Sequence, residues 1–371
     1  MNRGTKEPTN LRVVFGPEIW ENQSFGGIST YFAELILGLA RLSKMEIRVL
    51  AYSATNIELQ KLSKKIDIEI IPKKSLAKYL KSIYTESKVM IYHQTYYDAK
   101  NTLTSRALGY KNVVTVFDLI SELFPDKKKK LSKPRINNKR WSIKLAKRII
   151  SISHSSANDL FKIYKVPRNK VETIHLASSN LSQTENKVVA LPESFFLYVG
   201  KREGYKNYSV VLRAIAKSAR DGFEINLVTF GGGELEKTTQ KMISELNISE
   251  KITIFRDDEI QLARLYQKAT ALIYPSQYEG FGLPILEAMS LKCPVVASDI
   301  PSTREIGQDF VTYFNYSDYH ELSRILNNFQ TGLVPSEAAR VAAASHGANF
   351  SWARTAMQTH SLYTSLSKEI A

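Results

Sequence analysis

Cysteine is almost missing from this chain: Cys293 is the only one in 371 residues. No intramolecular disulfide can form, and a cysteine-built metal centre is excluded in practice. The apolar neighbours of Cys293 mark it as a core residue. Also missing is any run near the ~20 apolar residues of a membrane span. Met1 to Asn10 is polar and lacks the basic start and apolar stretch of a secretion signal, so the expectation is a soluble protein that stays in the cytoplasm. No repeat period, low-complexity tract or aspartate-rich metal motif is present. Acidic residues are absent from Lys127 to Arg148, a stretch with eleven basic ones.

What is present is an ordinary globular composition, 43% apolar and 23% charged. A chain of this length fits two α/β domains of about 150–200 residues each. The formal charge of +15 is lopsided. Residues 1–188 hold 33 Lys+Arg against 16 Asp+Glu, and the remainder 18 against 20. Leu131, Ile136, Trp141, Ile143 and Leu145 are interleaved with the basic residues of the Lys127–Arg148 stretch. Such a segment suits an anionic partner, whether a membrane surface, a pyrophosphate-bearing lipid or a nucleic acid, and equally suits a solvated helix face.

Short β-prone runs alternate with helical patterns along the whole chain. In the first half they are Leu11–Phe15, Ile47–Ala51, Ile66–Ile71, Val89–His93, Val113–Phe117 and Arg148–Ser153. A second series comprises Phe195–Val199, Glu224–Phe230, Ile252–Phe255, Ala271–Tyr274, Val295–Ala297 and Phe310–Phe314. The alternation predicts two mainly parallel, doubly wound sheets of Rossmann type, facing each other across a central cleft. Ser178 to Pro192 has linker composition, which sets the domains at 1–188 and 189–349. The helical segment in 350–371 is expected to pack back on the first domain.

The most informative stretch is Glu279-Gly-Phe-Gly-Leu-Pro-Ile-Leu-Glu287. It follows a strand, and Pro284 is placed to open a helix. Gly280 and Gly282 let backbone approach a ligand, and free N–H groups at a helix start hold phosphate. Two carboxylates beside an anion site need another partner, and sugar and ribose hydroxyls are one. With this spacing the stretch resembles the signature of the family-four retaining glycosyltransferases, two glutamates separated by seven residues. The resemblance implies the GT-B fold, with Glu279 facing a donor sugar, the backbone of Phe281, Gly282 and Leu283 against sugar and diphosphate, and Glu287 on the ribose.

Gly200-Lys-Arg-Glu-Gly-Tyr-Lys-Asn207 is similar to the family's basic loop, in which Arg202 and Lys206 correspond to the pair that neutralises the donor diphosphate. Gly26-Gly27 resembles its N-terminal glycine loop, and Gly231-Gly232-Gly233-Glu234 another family loop. Ser153-His-Ser-Ser-Ala-Asn-Asp159 looks like a further family segment, and its Ser and Asn equally suit helix capping. One departure stands out at Val116-Phe117-Asp118. The family commonly has His-Asp there, near the donor 6-hydroxyl, and a phenyl ring makes no conventional hydrogen bond. His93, in His93-Gln-Thr-Tyr96-Tyr97, is the nearest substitute by motif, or else a structural histidine; His93 and Tyr96 are also the acceptor-site candidates.

The resemblance implies transfer with retention by front-face attack, needing no side-chain nucleophile, no cofactor and no metal, because the basic pair takes the cation's place. Arg202, Lys206 and Glu279 are then the catalytic candidates. The donor is a GDP-, UDP- or dTDP-linked sugar. The basic first domain points to a saccharide acceptor carried on polyprenyl pyrophosphate, and to a peripheral place at the inner face of the plasma membrane in bacterial O-antigen or capsule assembly. Phe117 also motivates a catalytically silent, transferase-like binding protein. A nucleic-acid partner has no recognition motif behind it.

Overall fold

A computed structural model describes residues 11–42, 45–86, 88–124, 132–178, 190–202, 204–255 and 259–368. Lys127–Lys130 and residues 179–189 of the Ser178–Pro192 linker lie outside the described residues. The chain divides into two compact units, Met1–Leu176 with Ser351–Ala371, and Ala177–Phe350. The division falls at Leu176, not near Val188. Composition marks a polar stretch, whereas the unit closes just after its last strand, where Ile174 and Leu176 are buried.

The first unit is a seven-stranded parallel sheet with strands β1 (Leu11–Phe15), β2 (Glu46–Ala51), β3 (Ile68–Ile70), β4 (Val89–Gln94), β5 (Lys111–Val116), β6 (Arg148–Ser151) and β7 (Val171–Thr173). Their order is β3-β2-β1-β4-β5-β6-β7. Only six of these strands are legible in the sequence. β7, Val-Glu-Thr, is three residues long with no apolar run, and it exists through its pairing with β6. β1, β4 and β5 are buried on both faces, which is why they read as continuous apolar runs.

The helix Gly27–Leu42 buries Tyr31, Phe32, Leu35, Ile36 and Leu39 at helical spacing. The helix Trp352–Lys368 lies against it, with the Trp352 ring 6.1 Å from Tyr31. Gly38 makes this approach possible, since a Cβ there would come within 2.6 Å of the Ala356 Cβ.

The second unit is a six-stranded parallel sheet of β8 (Phe196–Val199), β9 (Leu227–Phe230), β10 (Ile252–Phe255), β11 (Ala271–Tyr274), β12 (Val295–Ser298) and β13 (Thr312–Phe314). The order is β10-β9-β8-β11-β12-β13. The helices Tyr208–Arg220 and Tyr319–Gln330 cover one face, packing Val211, Ile215, Leu322 and Leu326 onto Phe196, Ile273 and Val296. Cys293 is buried here, and burial pushes its thiol up to about 12, so it stays protonated. Each sheet reverses its strand order once, between β1 and β4 and between β8 and β11. Crevices at such reversals, beyond the carboxyl ends of the strands, are where open α/β sheets take ligands.

Candidate functional site

In the second unit three loops meet beyond the carboxyl ends of β8, β9 and β11. Gly200 leaves β8 with φ 110°, and its N–H donates to Phe230 O on β9 at 2.9 Å. Gly232 has φ 76°, and a Cβ there would collide with the Gly200 carbonyl, so two backbones touch where no other residue fits. Arg202 is buried, and its guanidinium donates to Gly231 O at 2.6 Å and to Gly233 O. The sequence expects Arg202 beside a diphosphate. In this structure two of its five N–H donors hold the glycine loop, and it also lines a cavity of about 170 Å³ with Asn207, Tyr208 and Thr239.

Lys206 and Glu279 close the β8/β11 crevice. The Lys206 ammonium lies 2.7 Å from a Glu279 carboxylate oxygen, and Glu279 is buried. Tyr274, the last residue of β11, also hydrogen-bonds Glu279. Burial first, and then the neighbouring carboxylate, raise the Tyr274 hydroxyl well above its ordinary pKa, so it remains a donor. The same ammonium lies 5.8 Å from the centre of the Tyr274 ring.

Gly280 and Phe281 are buried, with the Phe281 ring edge-on to Phe350 at 6.0 Å. Gly282 has φ 136°, beyond what an L side chain tolerates easily, and caps the helix Leu283–Ser290 with Pro284 in its first turn. Glu287 projects one turn along that helix and accepts from the Tyr266 hydroxyl at 2.9 Å. Tyr266 is fully buried, and burial with the adjacent Glu287 charge raises its pKa well above the ordinary value.

In the first unit the β1/β4 crevice is occupied by protein. Glu18 is buried there, accepting from Thr95 N at 3.1 Å, Thr95 Oγ1 at 3.0 Å, Asn101 Nδ2 at 2.9 Å and the Tyr92 hydroxyl. Burial raises its pKa despite these donors. The open space lies one strand further on, past β5. A cavity of about 190 Å³ is lined by Tyr96, Tyr97, Phe117, Asp118, Arg135 and Lys139, among others. Phe117 is nearly buried, edge-on to Tyr31 with centroids 5.2 Å apart. Asp118 accepts from Ile120 N at 3.0 Å, and Lys139 is held by Glu122 at 2.9 Å.

His93 does not join this cavity. It is fully buried, with Nδ1 2.5 Å from the Tyr363 hydroxyl, Nε2 3.0 Å from Thr115 Oγ1, and its ring against Phe15 and Phe32. Burial drops its pKa to about 3. The expectation of an acceptor or 6-hydroxyl contact is corrected: strand alternation turns His93 toward the helices Gly27–Leu42 and Trp352–Lys368, while Tyr96, past the strand end, lines the cavity. Gly26 accepts from Thr30 N at 3.0 Å at the start of the first of these helices, and Gly27 has open space around its Cα. Ser153 caps the helix His154–Asp159, accepting from Ser156 N at 2.9 Å.

Arg135 and Lys139 escaped the sequence reading, hidden within the basic stretch. Their i,i+4 spacing beside the Tyr96-Tyr97 and Phe117-Asp118 motifs is the available signal. Tyr266 and Tyr274 left no signal, because their partners are fixed only by the fold.

Two parallel doubly wound sheets, one carrying a cation–carboxylate pair at its switch point and a glycine-opened helix start, define the GT-B glycosyltransferase class. Residues 25–177 match the family described as Glycosyltransferase Family 4, and residues 182–333 match Glycosyl transferases group 1. The two matches together span most of the chain, which belongs to this glycosyltransferase family. The O-antigen chain mannosyltransferase RfbU of Salmonella typhimurium is 29% identical over 194 residues, 52% of this chain and 53% of that protein. The chain thus spans about half the length of that curated relative. A glycosyltransferase structure from Rickettsia africae has a TM-score of 0.73 at 18% identity, covering 97% of this chain and 99% of that one. Anabaena HepE in complex with UDP-glucose gives 0.71 at 16%, covering 96% and 100%. These structural likenesses establish the fold. Among the described residues no helix is long and apolar enough to cross a membrane.

Proposed function

We propose that the chain transfers a sugar, with retention of anomeric configuration, from a nucleotide sugar to a saccharide acceptor. The observation that carries this reading is the Lys206–Glu279 pair in the β8/β11 crevice, beside the helix that presents Glu287. A diphosphate leaving group gains charge as its glycosidic bond breaks, and Lys206 supplies a fixed cation for it, with Arg202 behind the loop. Glu279, freed from Lys206 by the incoming anion, turns to the sugar hydroxyls, and Glu287 takes the ribose. The leaving phosphate accepts the acceptor's proton, so transfer proceeds without metal or cofactor. The protein's contribution is positioning and electrostatics.

The cavity lined by Tyr96, Tyr97 and Arg135 suits a saccharide acceptor, with rings to stack on a sugar face and a cation for an attached phosphate. A polyprenyl-pyrophosphate-linked saccharide meets both requirements. RfbU, by its name, acts on O-antigen chains, and the same pathway class, bacterial surface polysaccharide assembly at the inner membrane face, is the setting proposed here.

A thermal-shift panel of UDP, GDP and dTDP identifies the donor base, since binding to the folded state raises its stability. The stabilising nucleotide is then supplied as its sugar conjugate with a lipid-linked acceptor. Stabilisation by one nucleoside diphosphate followed by sugar transfer supports the reading; no response to any of the three overturns it.

A further inference from the structure

A second cationic feature lies in the first unit, apart from the Tyr96–Phe117 cavity. The outer face of the helix Ser132–Leu145 and the turn after Leu160–Tyr164 enclose a groove of about 630 Å³. Arg140, Lys144, Lys165 and Lys170 line it, and its apolar walls include Ile143 and Tyr164. Residues 132–170 hold eleven basic residues and one acidic one. Among the described residues none of these four cations has a carboxylate within ion-pair distance. Trp141, also lining the groove, is 48% exposed, and the Lys144 ammonium lies 4.8 Å from its ring centre. A large ring left in water beside unneutralised cations is unusual on a solvated helix face, which needs no tryptophan.

We propose that this groove is the docking surface for an anionic phospholipid bilayer, with the four cations against lipid phosphates and Trp141 at the headgroup level. The inference deepens the lipid-linked acceptor reading and rests on it only for its use in the cell. The chemistry favours lipid over single-stranded nucleic acid. Such acids are held by successive aromatic platforms along a channel, whereas here Trp141 is the one strongly exposed ring among the lining residues and the Tyr164 hydroxyl is tied to Glu122. Tryptophan beside lysine is the pairing that membrane interfaces select.

The test is sedimentation of the full chain with phosphatidylglycerol or phosphatidylcholine vesicles, without donor. Three proteins are compared: the native chain; a variant with Arg140, Lys144, Lys165 and Lys170 each changed to Gln; and a control with Lys237, Lys241, Lys292 and Arg340 changed to Gln. The native chain should bind phosphatidylglycerol and ignore phosphatidylcholine. The groove variant should lose roughly tenfold or more in partitioning, the control variant little, both with native melting midpoints. Trp141 emission should shift to the blue on binding, a change abolished in Trp141→Phe. Transfer to a short soluble acceptor should stay native in the groove variant, so a chain with no transferase activity still gives a readable vesicle result. Equal losses in groove and control variants, equal binding to both lipids, displacement by inorganic pyrophosphate at fixed ionic strength, or tighter retention of single-stranded RNA through the same residues would overturn the proposal.

Discussion

Lys206 and Glu279 neutralise each other across the β8/β11 crevice at 2.7 Å, one from the loop after β8 and the other from the loop after β11. On the proposed reading a diphosphate entering here would compete with the carboxylate for the ammonium, so donor binding and release of Glu279 would be one event. The two residues should therefore act as a unit.

Lys206→Ala and Glu279→Ala should each lower kcat by about two to three orders of magnitude, as loss of a charge-stabilising group does. The double variant should cost far less than the product of the two. Steady-state kinetics on the four proteins of the cycle checks this. Independent, multiplying effects would contradict their acting as a unit.

Both sheets and most strands are legible from the alternation of apolar runs, and the Glu279–Glu287 stretch from its glycines and spacing. The remainder is set by contacts between distant residues. β7 exists because β6 offers it an edge, and Glu18 is buried because Tyr92, Thr95 and Asn101 converge on it. His93 illustrates the limit: a histidine at a strand end reads as a ligand, but which side of the sheet it faces, and that Tyr363 awaits it there, is decided by packing.

The Tyr266 hydroxyl donates to the Glu287 carboxylate at 2.9 Å. Glu287→Ala should weaken nucleotide binding by roughly 1.5–3 kcal/mol, the worth of a charged hydrogen bond. Tyr266→Phe, which leaves the carboxylate but loosens it, should cost about 0.5–1.5 kcal/mol. Calorimetry with the nucleoside diphosphate gives both values. Unchanged affinity in folded Glu287→Ala would remove the ribose assignment.

His93 has a folded pKa of about 3 against 6.5 for the free side chain. Between these values the unfolded chain takes up a proton that the folded one refuses, so stability falls as pH drops below 6.5 and the loss is complete near 3. By pH 5 the cost is about 2 kcal/mol at 1.36 kcal/mol per pH unit. Denaturant titrations of the native chain and His93→Gln at pH 7 and pH 5 measure it. The native chain should lose about that much more than the variant; parallel losses would contradict it.

Phe117 lines the first unit's cavity where the family resemblance places an imidazole. If the donor's carbon 6 meets this ring, a hydroxyl there is buried without a partner at about 1–3 kcal/mol, and a methyl group is not. Donors matched except at carbon 6 should favour the 6-deoxy sugar in kcat/KM by roughly tenfold, with the preference reduced or reversed in Phe117→His. A native preference for the 6-hydroxylated donor, unaltered by the substitution, would rule this out.

The most direct test of the central claim is a calorimetric comparison of nucleoside and nucleoside diphosphate, using the base chosen by thermal shift, on the native chain and Lys206→Ala. If the β8/β11 crevice is a donor diphosphate site, the native chain binds the diphosphate at least about tenfold more tightly than the nucleoside, a charged hydrogen bond being worth about 1.5–3 kcal/mol. Lys206→Ala should then lose most of that margin while binding the nucleoside as before. Equal affinity for the two ligands in the native chain, or an unchanged margin in the variant, would contradict the account.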